Sequence, residues 1–195
     1  MRESKAWMLG LLLILSIVCS ASLAYVNIKT GPIIRRNEEI KRMMTVLNVF
    51  GATYDPLDDR SITGTYRSRI TEAAENGLLV FREKESGKTA LQLSGSGFQS
   101  TISLVVALKG DTVSGFRIIS QNETPGLGSR ISGEAFQKQF VGKKVSGGIT
   151  PVKLGKAGPR EFDAITGATE SSKALARILN YGFTRYFQKA KQGER

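Results

Sequence analysis

The chain has 195 residues, enough for one ordinary domain and an anchor but too few for two full domains. It contains no histidine and a single cysteine, Cys19, inside an apolar run. That removes the commonest general base, disulfides, thiolate catalysis in the soluble part, and cysteine clusters for zinc or iron–sulfur. Redox chemistry here would need an organic cofactor. The net charge is +11, from 28 Lys+Arg against 17 Asp+Glu. The basic residues are dispersed rather than clustered among aromatics, so the charge fits an anionic membrane surface or acidic partners, and equally an ordinary basic surface, rather than nucleic acid.

Ala6 to Val26 is an apolar run of about 21 residues without charge, the length of one bilayer-spanning helix. Arg2 and Lys5 precede it, and Trp7 and Tyr25 lie near its ends. The positive-inside tendency puts the short N-terminus in the cytoplasm and the rest outside, as a single-pass protein of the cell (inner) membrane. A cleaved signal peptide is the competing reading, with small residues at Ser22-Leu23-Ala24. The run exceeds a signal core of about 7–15 residues, which favours a retained anchor.

The expected organisation is an N-terminus and anchor over 1–28, a connecting amphipathic helix over 29–51, a domain over 52–189 and a basic tail over 190–195. Ile33, Ile40, Met44, Leu47 and Phe50 recur at helical spacing, and Gly51 is placed to end that helix. The polar stretch after it offers at most a short helix near Ile70 to Asn76. Leu78–Glu83 and Thr89–Ser94 flank a Glu85-Ser86-Gly87 turn. Ser94–Phe98 reads as a glycine-bearing bend. Thr101–Leu108 and Thr112–Ser120 form a second hairpin around Lys109-Gly110-Asp111. Glu134–Phe140 and Ser171 to about Lys189 read as helices, the second with an apolar stripe of Leu175, Ile178, Leu179, Phe183, Tyr186 and Phe187. Hairpins followed by segregated helices predict an α+β fold with a mainly antiparallel sheet and flanking helices.

Two segments place glycine and proline outside obvious turns. In Asn122–Ser129 (NETPGLGS), Pro125 stiffens the loop, while Gly126 and Gly128 permit left-handed or close-approach backbone. Such a loop suits either a surface turn or a wall against a flat ring or phosphate. Asp163–Ser172 (DAITGATESS) leads directly into the long helix. Thr169, Ser171 and Ser172 can each cap it, and the same helix start offers free N–H groups and a positive dipole end to a phosphate. Residue chemistry leaves both readings open.

ETPGLG and DAITGAT, in this order behind one anchor, resemble the two signatures of covalent FMN-binding domains. The arrangement is similar to the G-type subunit of Rnf ion-translocating ferredoxin:NAD oxidoreductase complexes, and to the C-type subunit of the Na⁺-translocating NADH:quinone reductase. The likeness includes Ser94 to Leu108. It implies one FMN per chain, esterified through phosphate to Thr169, with Ser171 a lesser candidate. It also implies a flavin transferase that reads Asp163, Thr166, Gly167 and Ala168, and a ring lying beside Glu123, Thr124, Leu127 and Gly128. The partners implied are the other membrane subunits, with this chain as an electron relay that holds no complete catalytic site. A non-redox anchored binding module is the alternative from another class.

Overall fold

A computed structural model describes residues 2–153, 155 and 157–192; of the expected basic tail, residues 193–195 lie outside it. The chain divides into two compact units, Met1–Ile40 and Lys41–Arg195.

The first unit is helical from Arg2, the start of helix α1 (Arg2–Phe50), and its apolar stretch is wholly exposed, long and apolar enough to cross a membrane. The hydroxyls of Ser16, Ser22 and Thr30 turn back onto the carbonyls of Leu13, Val18 and Val26 at 2.8–2.9 Å. That satisfies these three hydroxyls within the helix itself, as suits a hydrocarbon environment. The two expected helices are one, because Pro32 sits inside α1 without ending it. The residue before it is Gly31, which has no Cβ to clash with the proline ring.

In the second unit, the last turns of α1 bury Met43, Val46, Leu47, Val49 and Phe50. Gly51 then terminates the helix at φ 75°, with Ala52 N–H donating to Leu47 O. Helix α2 (Asp59–Arg69) follows, its start capped by Asp58, whose carboxylate accepts from the Arg60 and Ser61 amides. Five strands then form an antiparallel meander in the order β1 (Ile70–Glu75), β2 (Leu78–Glu83), β3 (Thr89–Ser96), β4 (Thr101–Lys109), β5 (Thr112–Ser120). The short helix expected near Ile70 is strand β1 instead. All six of its residues pair with β2, and three of them are exposed on the sheet edge. Pairing supplied by the neighbouring strand outweighs the helix propensity of Ala and Glu.

The sheet is covered on both faces. One carries Leu78, Val80, Leu91, Leu93, Leu104 and Val106, in one core with Leu175, Ile178, Leu179 and Phe183 of helix α4 (Thr169–Gln192). Burial of a side chain of this size is worth about 1.5–3 kcal/mol, so the stripe on α4 is the main tether of that helix. Gly95 and Gly182 set the spacing: a Cβ on Gly95 would lie 2.8 Å from Ile178, and one on Gly182 2.3 Å from Leu93. The expected bend at Ser94–Phe98 therefore begins later, since Gly95 stays in β3 to let the helix approach. The end of α1 crosses over Gly115, where a Cβ would meet the Val49 carbonyl at 2.3 Å.

Beyond β5 the chain makes a 3-10 turn (Gly128–Ser132), helix α3 (Glu134–Lys138) and a two-stranded parallel ribbon, β6 (Thr150–Val152) with β7 (Glu161–Asp163). Phe116 stacks on Phe140 at 4.2 Å, and Phe136 and Phe162 meet Phe140 at 5.5 and 4.9 Å. This aromatic cluster fixes β7, and β7 delivers Asp163 to the start of the DAITGAT segment. The α+β expectation, a mainly antiparallel sheet with flanking helices behind an apolar N-terminal helix, is what the chain adopts.

Candidate functional site

The two glycine-bearing segments, some forty residues apart in sequence, meet at the N-terminus of α4. Ala164 N–H donates to Val152 O, and Ile165 N–H donates to the Ser172 hydroxyl. A tight turn then closes with Ala168 N–H on Ile165 O, and Gly167 takes φ 81°. Facing it, the 122–129 loop folds on itself: the Leu127 and Ser129 amides donate to Thr124 O, and Gly126 N–H donates to the Ser129 hydroxyl.

A cleft of about 280 Å³ lies between them. Phe98, Thr124, Leu127 and Gly128 line one side, and Gly167, Ala168, Thr169, Glu170 and Ser171 the other. Phe98 is 63% and Leu127 44% exposed, so two large apolar groups stand open at its rim. A Cβ on Gly167 would come within 3.2 Å of Leu127, so the glycine keeps the cleft's narrow wall free of bulk. The volume is at the small end for a ligand pocket, typically about 300–1,000 Å³, so an occupant is held along one face and stays partly in solvent.

The start of α4 is uncapped by any side chain in this cleft. Ala168 occupies the cap position, and among the described residues the amides of Thr169, Glu170 and Ser171 have no acceptor. A 24-residue helix ending on free N–H groups is a favourable anion site. The three hydroxyls that the sequence offers here divide cleanly. Ser172 donates to Ala168 O and accepts from Ile165, and Ser171 donates to Glu123 Oε2 at 2.7 Å. Both are buried. Thr169 is exposed, and its hydroxyl has no partner among the described residues. Glu170 pairs with Lys173 at 2.8 Å, a contact that with the Lys173 charge holds its carboxyl below the usual range.

Of the residues named from sequence, Thr124, Leu127, Gly128, Gly167, Ala168 and Thr169 line the cleft. Asp163 and Thr166 line a neighbouring depression of about 420 Å³ with Arg130, Phe136 and Gln139. Asp163 Oδ1 accepts from Gly155 N–H at 2.9 Å. Glu123 is behind the wall, 4% exposed. Its Oε1 accepts from the amides of Phe98, Gln99 and Ser100, each at 3.1 Å. Phe98 is the cleft residue that sequence reasoning misses, since an exposed aromatic beside a glycine carries no periodicity.

Burial pushes the Glu123 carboxyl up, but the Ser171 hydroxyl and the three amides outweigh it, leaving the group below its ordinary value of about 4.5. A depressed native value stabilises the fold fully above the unfolded value, and that contribution is lost as pH falls through the native one. Melting curves from about pH 7 down to about pH 3 are therefore expected to show a steeper acid loss in the wild type than in Glu123→Gln. Parallel curves would contradict an ionised carboxylate at this position.

The cleft falls within a span that matches a known domain family. Residues 97–184 match the FMN-binding domain family, a span running from the Phe98 loop into the middle of α4. Over that span the chain is similar to FMN-binding domains. It is 29% identical over 187 residues to the G-type subunit of the Na⁺-translocating ferredoxin:NAD⁺ oxidoreductase complex of Acetobacterium woodii, covering 91% of this chain and 90% of that one. It is 30% identical over 159 residues to the C-type subunit of the Na⁺-translocating NADH-quinone reductase of Vibrio anguillarum, covering 73% and 62%. The crystal structure of the corresponding NADH-quinone reductase subunit from Parabacteroides distasonis has the same fold, with a TM-score of 0.67 at 24% identity over 80% of this chain and 94% of that one.

The cleft fits such a cofactor in kind. It offers helix-terminal amides and a hydroxyl that have no partner among the described residues, for a phosphate, and exposed apolar surface on Phe98 and Leu127 for a flat ring.

Proposed function

We propose that this chain is the electron-carrying subunit of a membrane-bound, ion-translocating ferredoxin:NAD oxidoreductase of the Rnf type, with one FMN joined by a phosphoester to Thr169. The observation that supports the attachment is the hydroxyl inventory at α4. Thr169 and Ser171 both line the cleft, but of Thr169, Ser171 and Ser172 only Thr169 is exposed, and it stands where three helix amides have no acceptor among the described residues.

Bound FMN supplies one- and two-electron transfer, and the protein's task is to hold it and shape its surroundings. Thr169 would carry the phosphate, and the amides of residues 169–171 would neutralise part of its charge. Thr124, Leu127 and Gly128, with Phe98, would bound the ring. A covalent link keeps the cofactor with a domain held outside the cytoplasm, the side that the charges before the span favour. Asp163, Thr166, Gly167 and Ala168 would form the face read by a flavin transferase, since Asp163 and Thr166 open on the adjacent depression rather than on the cleft.

Assignment to the ferredoxin-linked complex over the quinone reductase is supported by how much of this chain aligns, 91% with the A. woodii relative against 73% with the V. anguillarum one. The quinone reductase subunit is the second reading, and the electron donor and acceptor separate them: reduction of the flavin in membranes by reduced ferredoxin supports the first, reduction by NADH with reoxidation by quinone the second.

The decisive measurement is the intact mass of denatured protein from a host that possesses a flavin transferase. We expect an increase of one FMN less one water, with flavin fluorescence retained after unfolding. Protein of unmodified mass from such a host would overturn the assignment.

A further inference from the structure

We propose that Glu123 is a positioning residue: its one buried carboxylate clamps the 97–100 loop to the start of α4 and so fixes Phe98 across the cleft from Thr169. The clamp stands on geometry independent of any cofactor, and its effect on flavin rests on the reading of the cleft given above.

The carboxylate uses both oxygens. Three consecutive amides, those of Phe98, Gln99 and Ser100, converge on Oε1 at 3.1 Å, so the loop forms a concavity for an anion that the protein fills from its own chain. Oε2 takes the Ser171 hydroxyl at 2.7 Å, which ties the same group to the first turn of α4. The loop is closed by Gly97 N–H on Ser100 O at 2.7 Å, and the Asn122 amide adds a tie to the Ser100 hydroxyl at 2.8 Å.

Two glycines show how tightly the surroundings are built around this group. A Cβ on Gly97 would lie 2.4 Å from Glu123 Oε1, and one on Gly128 2.8 Å from Glu123 Cβ. Phe98, by contrast, is 63% exposed, so little packing holds its side chain where it stands. Its backbone is held instead, through its amide on the carboxylate. Bonds to a charged acceptor are about twice as strong as neutral ones, which suits a loop that must hold an exposed aromatic at a fixed place.

The test compares wild type, Glu123→Ala, Glu123→Gln, Ser171→Ala and Phe98→Ala by hydrogen exchange of the unloaded domain and by visible circular dichroism of the flavin-loaded one. Glu123→Ala is expected to speed exchange at residues 98–100 by about tenfold or more while strands β2–β4 stay protected. Its visible flavin signal should fall at least about twofold, as in Phe98→Ala, whose loop amides stay slow. Glu123→Gln retains an acceptor oxygen for the loop and restores most of the signal. Should Glu123→Ala not fold, Ser171→Ala cuts only the link to α4: slow loop amides with a reduced flavin signal support the clamp.

Unchanged exchange at 98–100 in Glu123→Ala would overturn the proposal, as would faster exchange with an unaltered flavin signal. A wild-type protein without flavin would defeat the reading of the cleft, and the exchange measurements would still decide the clamp.

Discussion

Thr169→Ala is expected to give a folded chain that carries no flavin after denaturation, while Ser171→Ala keeps the label. Access separates the two. Esterification needs a hydroxyl that a donor phosphate can reach, and Thr169 is exposed at the cleft with no partner among the described residues. Ser171 and Ser172 are 3% and 0% exposed. Ser171 donates to the Glu123 carboxylate, and Ser172 spans Ala168 O and the Ile165 amide. Modifying either would break those bonds and strand buried polar groups, at about 1–3 kcal/mol for each group left unsatisfied.

Thr166 is a useful control, because it too is exposed but opens on the neighbouring depression, away from the free amides of α4. If it serves recognition, Thr166→Ala lowers the labelled fraction without moving the site of attachment. An exposed change such as Thr169→Ala normally alters stability by no more than about 0.5 kcal/mol, so an unchanged melting temperature separates loss of the acceptor from loss of the fold. A label that persists in Thr169→Ala would exclude this threonine, and peptide mass mapping would then locate the true acceptor.

How far this site is legible in the sequence depends on how local its causes are. Strands β2–β5 and helix α4 are legible because each carries its own period and its own turn residues: Gly87 and Gly110 close the hairpins at φ 65° and 64°, as glycine there allows. The stretch 59–75 is not. Helix α2 buries only Ile62 and Tyr66, one i,i+4 pair, so its periodicity is faint and Asp58 is its clearest signal. Four of the six residues of β1, Glu72 to Glu75, favour helix, and the strand owes its form to β2. At the cleft, both loops are visible as glycine and proline out of place. The use of Glu123 is not, since its partners lie 23 to 25 residues upstream and 48 downstream. A resemblance between motifs puts that carboxylate beside the ring; the packing puts it beneath the wall, where it supports Phe98.

The same loop supplies the second large effect, at Gly128. The sequence allows Gly126 and Gly128 either left-handed backbone or close approach, and the two glycines take one role each. Gly126 adopts φ 74° with open space where a Cβ would go. Gly128 has no such angle, but a Cβ there would lie 2.5 Å from Ser171 Oγ, 2.8 Å from Glu123 Cβ and 3.0 Å from Glu123 Oε2. Gly126→Ala therefore costs only the left-handed backbone, about 1–2 kcal/mol. Gly128→Ala must push apart the serine and the carboxylate that join the Phe98 loop to α4. Overpacking of this kind costs about 1–3 kcal/mol, and loss of the Ser171–Glu123 hydrogen bond adds about 1.5–3 kcal/mol. Gly128→Ala is thus expected to lower the melting temperature by roughly 5–24 °C, about 2.5–6 kcal/mol at about 2–4 °C per kcal/mol for a domain of this size, well beyond Gly126→Ala. It should also reproduce the fast exchange of the 98–100 amides, which Gly126→Ala leaves slow. Equal destabilisation by the two substitutions, with the loop amides undisturbed in both, would mean that Gly128 serves only the turn and that the carboxylate beneath it has room to spare.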